Sequence, residues 1–370
     1  MSTIAKRIPS LDGIRALSIV LVIVWHFGKD VGWGDLIGLG PLGVRIFFVI
    51  SGYLITGLLL KELEQDGRVN LLRFYFRRTM RIFPAFYIYL ACMLGISLLG
   101  WASLSFRQAL PALTYTSNYC VPSLQGSVAH TWSLATEEQF YLIWPAALAI
   151  AGRRRGLFVL FSLLIIAPLS SHFLGSRLHR EIPAFFNDPI GIGCLLAMTR
   201  GYLRRTTSYM GWVHSRVPTF LPLLILASNL PILHKGGLRD TFSSLVLNVS
   251  IALWLDWAVV NAESLTGRFL NSRVVVYIGV LSYSLYLWQQ PFTGLEGSNA
   301  ALRLSGNWMF LLNPIARLSA IAICTAVSYY LVERPMLRLR ARLEPKWFAK
   351  RERSKTQAAR LAPEIQKIEA

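Results

Sequence analysis

Charge is scarce in this chain, and acid is the scarcer sign. Only 15% of its 370 residues are charged, with 19 Asp and Glu against 38 Lys and Arg, while 54% are apolar. That balance excludes an ordinary soluble domain, whose single core could not hide so much apolar material, and points to a membrane protein. Cysteine is nearly missing as well. Cys92, Cys120, Cys194 and Cys324 share no metal-ligand spacing, and three lie within or beside apolar runs, which reads them as small buried hydrophobes. His172, His179, His214 and His234 lie near expected loops, again without metal-ligand spacing, so no metal site is expected. The chain has no internal repeat and no second globular domain. Its first apolar segment lacks a small-residue cleavage pattern and is expected to stay as a transmembrane helix.

What fills the chain is apolar runs. About ten are long enough to cross roughly 30 Å of hydrocarbon: 11–28, 38–60, 83–101, 134–151, 156–174, 184–199, 217–234, 243–261, 275–293 and 309–332. The expected fold class is all-α, a polytopic membrane helix bundle spanning residues 1–333. The formal charge of +19 does not call for nucleic acid, because the cations sit in short clusters between the runs. Lys6 and Arg7, the stretch from Lys61 to Arg81, Arg153 to Arg155, and Arg200, Arg204, Arg205 and Arg216 all fall on one side of the alternating topology. The positive-inside rule makes that side cytoplasmic, with both termini there, in a multi-pass protein of the cell (inner) membrane. Residues 334–370 form a basic polar tail expected at the anionic inner leaflet or partly disordered. The longest opposite connection, about 102–133, carries no obvious secondary structure.

A few ionisable residues stand inside this apolar material, where they are costly and mark functional candidates. Arg15 and His26 are eleven positions apart in the first run, an interval that returns to within about 20° and places both on one helix face, roughly 16 Å apart. Imidazole has the one unperturbed pKa near neutrality, so His26 is the candidate general base. Asp12, three residues before Arg15, can pair with it. Arg78 and Arg81 project to one side at the mouth of the third helix, a spacing suited to gripping phosphate, though snorkelling would also require Arg. Arg45 begins the second helix, and Ser51 and Gly52 near its middle suit close helix packing. The string from His130 through Trp132 and Ser133 to Glu137 and Glu138 enters the fourth helix, with Ser133 as a possible cap and the carboxylates in its first turn. Asp188 suits either a cavity wall or a helix entry beside Pro189. Glu333 is expected to end the last helix, with Pro335 blocking continuation.

In order along the chain, LDGIRALSIVLVIVWH, GVRIFFVISGYLIT, FRRTMRIFPAFY, HTWSLATEEQFYLIWP, LSYSLYLW and LVERP resemble acyltransferase family 3, the integral membrane O-acyltransferases of bacterial surface polysaccharides, nodulation factors and macrolides. The resemblance implies transfer of an acyl group, commonly acetyl, from cytoplasmic acyl-CoA to a hydroxyl of a carbohydrate or glycolipid acceptor. It implies acyl-CoA (acetyl-CoA) as a donor substrate and no permanently bound cofactor. His26 would be the base and Glu137 would orient or balance charge. Arg15, Arg78, Arg81, Asp12, Arg45, His130, Trp132 and Ser133 would hold donor or substrate. Direct transfer and an acyl-histidine route both fit. The family often reads LYLWH where this chain has Gln289 and Gln290, a departure that bears on the acceptor. The esterase-like domain that some members append is not expected here. The rival class is a multi-pass transporter of a glycan, a lipid-linked sugar or a proton-coupled solute, which more often shows repeats.

Overall fold

The computed structural model describes residues 8–30, 38–102, 104–120, 126–179, 188–230, 233, 237–293 and 313–348. Among them the chain forms twelve α-helices and no strand: α1 (Pro9–Asp30), α2 (Leu39–Asp66), α3 (Leu71–Leu98), α4 (Phe106–Leu113), α5 (Thr131–His179), α6 (Asp188–Leu203), α7 (Thr207–His214), α8 (Leu221–Ser228), α9 (Gly237–Val260), α10 (Leu265–Leu270), α11 (Arg273–Gln289) and α12 (Pro314–Ser328). Their outer faces are apolar, as Leu98 at 89% and Phe158 at 76% exposure illustrate, a surface that suits lipid rather than water.

Among the described residues, five helices are long and apolar enough to cross a membrane: Pro9–Gly28, Leu39–Asp66, Leu71–Leu98, Phe242–Val260 and Pro314–Phe348. They contain or overlap five of the ten expected runs, and the other five take different forms. The runs 134–151 and 156–174 fall in one helical segment, α5. It is not straight, because Gly152 carries φ +68° and a Cβ on Gly156 would lie 2.9 Å from Leu148. A straight helix holds residues eight apart at about 12 Å. The second limb runs back along α6, with Arg153 donating to the Met198 carbonyl at 3.1 Å and Leu164 against Gly191. Run 217–234 is broken by Pro218 and Pro222 into a 3₁₀ turn, Val217–Phe220, and the short α8. Run 184–199 enters α6, and 275–293 becomes α11.

Two boundary expectations are corrected. The helix does not stop before Pro335. A π turn at Tyr329–Glu333 absorbs the missing proline hydrogen bond, and the chain stays helical through residue 348. Nor does Ser133 cap the fourth run, because α5 begins two residues earlier at Thr131 and the Ser133 hydroxyl instead turns back to the His130 carbonyl at 3.1 Å. The connection between α3 and α5 is not devoid of structure either, since it holds α4 and 3₁₀ turns at Ser117–Tyr119 and Gly126–Val128.

Glycines set the closest approaches. A Cβ on Gly52 would lie 2.1 Å from the Ile190 carbonyl oxygen, and one on Gly193 would lie 2.1 Å from that of Val49, so α2 and α6 touch backbone to backbone. Gly279 gives α11 the same intimacy with α1 at Asp12. Hydrogen bonds then fix register: Trp144 Nε1 donates to Thr56 Oγ1 at 2.8 Å, joining α5 to α2, and Tyr283 OH donates to the Ile82 carbonyl at 2.9 Å, joining α11 to α3. The Tyr89 and Trp288 rings meet further along, at 5.2 Å, so α3 and α11 run in the same direction.

Candidate active site

Side chains from α1, α2, α3, α5 and α11 close around a cavity of about 730 Å³, including its open mouth. Arg15 enters from α1, Arg78 and Arg81 from α3, and Glu137 and Glu138 from α5. Three cations thus face two carboxylates in one cavity, an excess that favours an anionic ligand.

The spacing within α5 explains which of its residues arrive. Ser133, Glu137 and Tyr141 recur every fourth residue and share one face, and all three line the cavity. Ser51 Oγ donates to Glu137 Oε1 at 2.6 Å and lies 2.8 Å from Tyr141 OH, so a residue expected only to permit packing fixes the carboxylate instead. The Arg78 guanidinium lies 3.8 Å over the Tyr141 ring. Arg15 pairs with Asp12 at 3.6 Å, which leaves Asp12 behind the lining as an anchor.

Ser133 Oγ and Tyr286 OH, 2.5 Å apart, form the limit of the cavity toward His130. Both reach the His130 carbonyl, at 3.1 and 3.2 Å. The His130 ring is buried between the rings of Tyr89 at 5.6 Å and Tyr286 at 5.3 Å, and neither ring nitrogen has a hydrogen-bond partner among the described residues. His26 stands beyond the cavity lining, within electrostatic reach of His130. Its Nδ1 lies 2.8 Å from the Val22 carbonyl, which can only accept, so Nδ1 carries a proton.

Several expected site residues lie elsewhere. Arg45 reaches α9 instead, with Nη1 donating to Asn248 Oδ1 at 3.3 Å and Nη2 to Ser244 Oγ at 3.5 Å. Trp132 packs its ring against Phe48 at 6.2 Å and is not part of the lining. The Asp188 side chain falls outside the described residues. Conversely, Ser51, Glu138, Tyr141, Ser282, Tyr283 and Tyr286 line the cavity without having been singled out for it. The four-residue spacing from Ser133 was a sequence signal for Tyr141, and that from Ser282 to Tyr286 was another.

Forked cations and hydroxyl donors around one cavity of an apolar helix bundle suit a membrane-embedded group-transfer protein. A family model described as an acyltransferase domain matches residues 8–333, and the chain belongs to that family, acyltransferase family 3. It is 26% identical over 366 residues to O-acetyltransferase OatA of Staphylococcus aureus, covering 90% of this chain and 57% of that protein. It is also 29% identical over 376 residues to YrhL of Bacillus subtilis, covering 90% and 55%, and 26% identical over 364 residues to peptidoglycan O-acetyltransferase OatA of Listeria monocytogenes, covering 90% and 56%. The chain therefore spans a little over half the length of these relatives. No solved structure matches it.

Proposed function

We propose that the protein is a multi-pass O-acyltransferase that moves an acetyl group from cytoplasmic acyl-CoA to a hydroxyl of a carbohydrate or glycoconjugate. The observation that carries the reading is the cavity in which Arg15, Arg78 and Arg81 converge with Glu137 and with the hydroxyls of Ser133 and Tyr286. The names of the OatA relatives supply the acyl group and the saccharide class. On this reading ten passes are made by α1, α2, α3, the two limbs of α5, α6, the α8 segment, α9, α11 and α12. Both termini lie in the cytoplasm of a cell whose inner membrane holds the bundle, and the basic stretch that begins at residue 334 lies on that side.

The mechanism follows from the residue types. The arginine forks hold donor phosphates at the mouth, and the pantetheine arm runs inward toward Ser133 and Tyr286. Nε2 of His26 takes the proton of the acceptor hydroxyl as its oxygen attacks the thioester carbon. The Ser133 and Tyr286 hydroxyls turn from the His130 carbonyl to donate hydrogen bonds to the oxyanion that forms, and the tetrahedral intermediate collapses by breaking the C–S bond. The proton held by His26 returns to the departing thiolate, giving an ester and free CoA. Glu137, fixed by Ser51, offsets the arginine charge and keeps the forks oriented.

Purified protein in detergent, given acetyl-CoA and a peptidoglycan-derived saccharide, should release free thiol in proportion to ester formed. His26→Ala should abolish both signals, and Arg78→Ala with Arg81→Ala should raise the acetyl-CoA KM at least about tenfold, the loss expected for a charge-assisted contact. Unchanged turnover in His26→Ala would remove it as the base. No thiol release from the unaltered protein would sink the reading as a whole.

A further inference from the structure

The last described helical stretch, through residue 348, lies along α3 in the opposite direction. At the cavity end, Glu333 is within electrostatic reach of Arg81 and bonded to Ser284. Toward the start of α3, Glu344 Oε1 accepts from Arg73 Nε at 2.7 Å and pairs with Arg77 as well. Phe76 packs on Trp347 and Phe348, with ring centroids at 5.3 and 5.9 Å, which holds the two helices together. Arg73, Arg77 and Arg81 recur every fourth residue, so they form a ladder on one face of α3 whose inner rung lines the cavity. Glu333, Arg340 and Glu344, spaced by seven and four, share the face that opposes this ladder.

Charge does not balance in this seam. Arg73 and Arg77 use the same oxygen of one carboxylate. Arg340, one turn before Glu344, is within electrostatic reach of both Glu344 and Arg77, and its Nε is buried without a hydrogen-bond partner. Three guanidinium groups therefore stand around a single carboxylate, and Arg340 meets the like charge of Arg77 as well as the attraction of Glu344. A polyvalent anion relieves that repulsion, and successive guanidinium forks match phosphate oxygens.

We propose that the seam between α3 and the last helix is a phosphate-binding site for the nucleotide end of the donor, with Arg340 contacting phosphate and Glu344 as the positioning residue that holds Arg73 and Arg77 toward it. The proposal rests on the acyl-CoA reading above and extends its donor site to a second wall, built by residues 334–348. The 3′-phosphate occupies the outer rungs, the diphosphate lies inward against the forks of Arg78 and Arg81, and the acyl-pantetheine arm passes on into the cavity.

Phosphate could also come from a lipid headgroup, so the test separates the two sources. The full chain is placed in phosphatidylcholine nanodiscs, and the KM for acetyl-CoA is compared with that for acetyl-pantetheine, which lacks the nucleotide phosphates. The unaltered protein should prefer acetyl-CoA. Arg340→Gln should lose about tenfold of that preference, Arg340→Lys should keep part of it, and Glu344→Gln should lose about threefold. Size-exclusion profile and melting temperature establish that each variant is folded, and the Arg340→Lys comparison stands if either Gln variant is not. An unchanged preference in the folded variants overturns the proposal. So does an effect of Arg340→Gln that is seen only when phosphatidylglycerol is added, which would assign the phosphate to lipid. If the unaltered protein neither binds CoA nor turns over either thioester, the acyltransfer reading itself fails and takes this proposal with it.

Discussion

Ser51 on α2 holds Glu137 on α5, its hydroxyl donating to Oε1 at 2.6 Å while Tyr141 OH lies 2.8 Å away on the same serine oxygen. One small hydroxyl thus ties α2 to α5 through Glu137, one of the two carboxylates described in the cavity lining. Ser51→Ala should keep the helix contact, since it removes one atom, but leave Glu137 and Tyr141 short of a partner. A buried hydrogen bond to a charged group is worth about 1.5–3 kcal/mol. Turnover should therefore fall by about ten- to hundredfold with the fold intact. Paired rate and melting measurements check this, and a rate within twofold of the unaltered protein would show that Glu137 needs no such clamp.

Tyr286 offers a cleaner separation of binding from chemistry. Its hydroxyl meets Ser133 Oγ at 2.5 Å on the side of the cavity toward His130, about two turns of α5 from the Tyr141 ring that Arg78 covers. Tyr286→Phe deletes that donor and keeps the ring that packs on His130. Loss of one oxyanion donor costs about 2.7–4 kcal/mol in comparable sites, or roughly 10²–10³ in kcat. The acetyl-CoA KM should stay within about threefold. A rise in KM with kcat preserved would move Tyr286 from the reacting carbonyl to the donor arm.

The sequence made some of this legible and concealed the rest, for physical reasons. Long uninterrupted apolar runs located α1, α2, α3, α9 and α12, because hydrocarbon thickness imposes a minimum length that composition records. The turn at Gly152 also left a trace, in the Arg153–Arg155 cluster that separated two runs, although the chain remains helical through it. Pro335 misled, because a proline can be absorbed by a π turn whose cost depends on neighbours rather than on local sequence. In the site, Glu137 and Ser133 were visible as a string, whereas Tyr286 meets them from 153 residues away in the chain. Periodicity within one helix says which face a residue occupies but not which helix that face meets. Arg45 shows the same limit, since its partners on α9 lie some 200 residues further on.

Away from the cavity, Asp256 is the point where a single charge change should cost stability. It is fully buried on α9, paired with Arg204 at 2.8 Å and Arg200 at 3.2 Å, and accepts from Tyr209 OH at 3.0 Å. Asp256→Ala strands two half-buried guanidinium groups and a phenol together. Removing one partner of a buried pair costs about 3–5 kcal/mol, and the partial exposure of both arginines puts the expectation near the lower end, about 3 kcal/mol. Thermal unfolding in detergent should show a fall of several degrees, while Asp256→Asn, which still accepts a hydrogen bond, should lose less. Equal melting temperatures for the Ala variant and the unaltered protein would mean that the arginines find water or lipid phosphate at no cost.

Glycine tests the packing of α2 on α6, and it does so with an internal control. Gly52→Ala and Gly193→Ala each place a methyl group 2.1 Å from a carbonyl oxygen of the facing helix, far inside van der Waals contact and against backbone that cannot rotate aside. The helices must separate, and overpacking of this kind costs about 1–3 kcal/mol or more. Because Ser51 sits beside Gly52 and its hydroxyl reaches across to Glu137, a displaced α2 should also disturb the cavity. Gly57→Ala lies on the same helix, one and a half turns on, where an added Cβ meets nothing within 4 Å. It should be neutral or stabilise by up to about 1 kcal/mol, through the better helix propensity of alanine. The readouts are detergent melting temperature and acyl transfer for all three variants. Gly52→Ala and Gly193→Ala should lose both and Gly57→Ala neither, and a Gly57→Ala variant as damaged as the others would mean that any added methyl on α2 is disruptive, whatever its contact with α6.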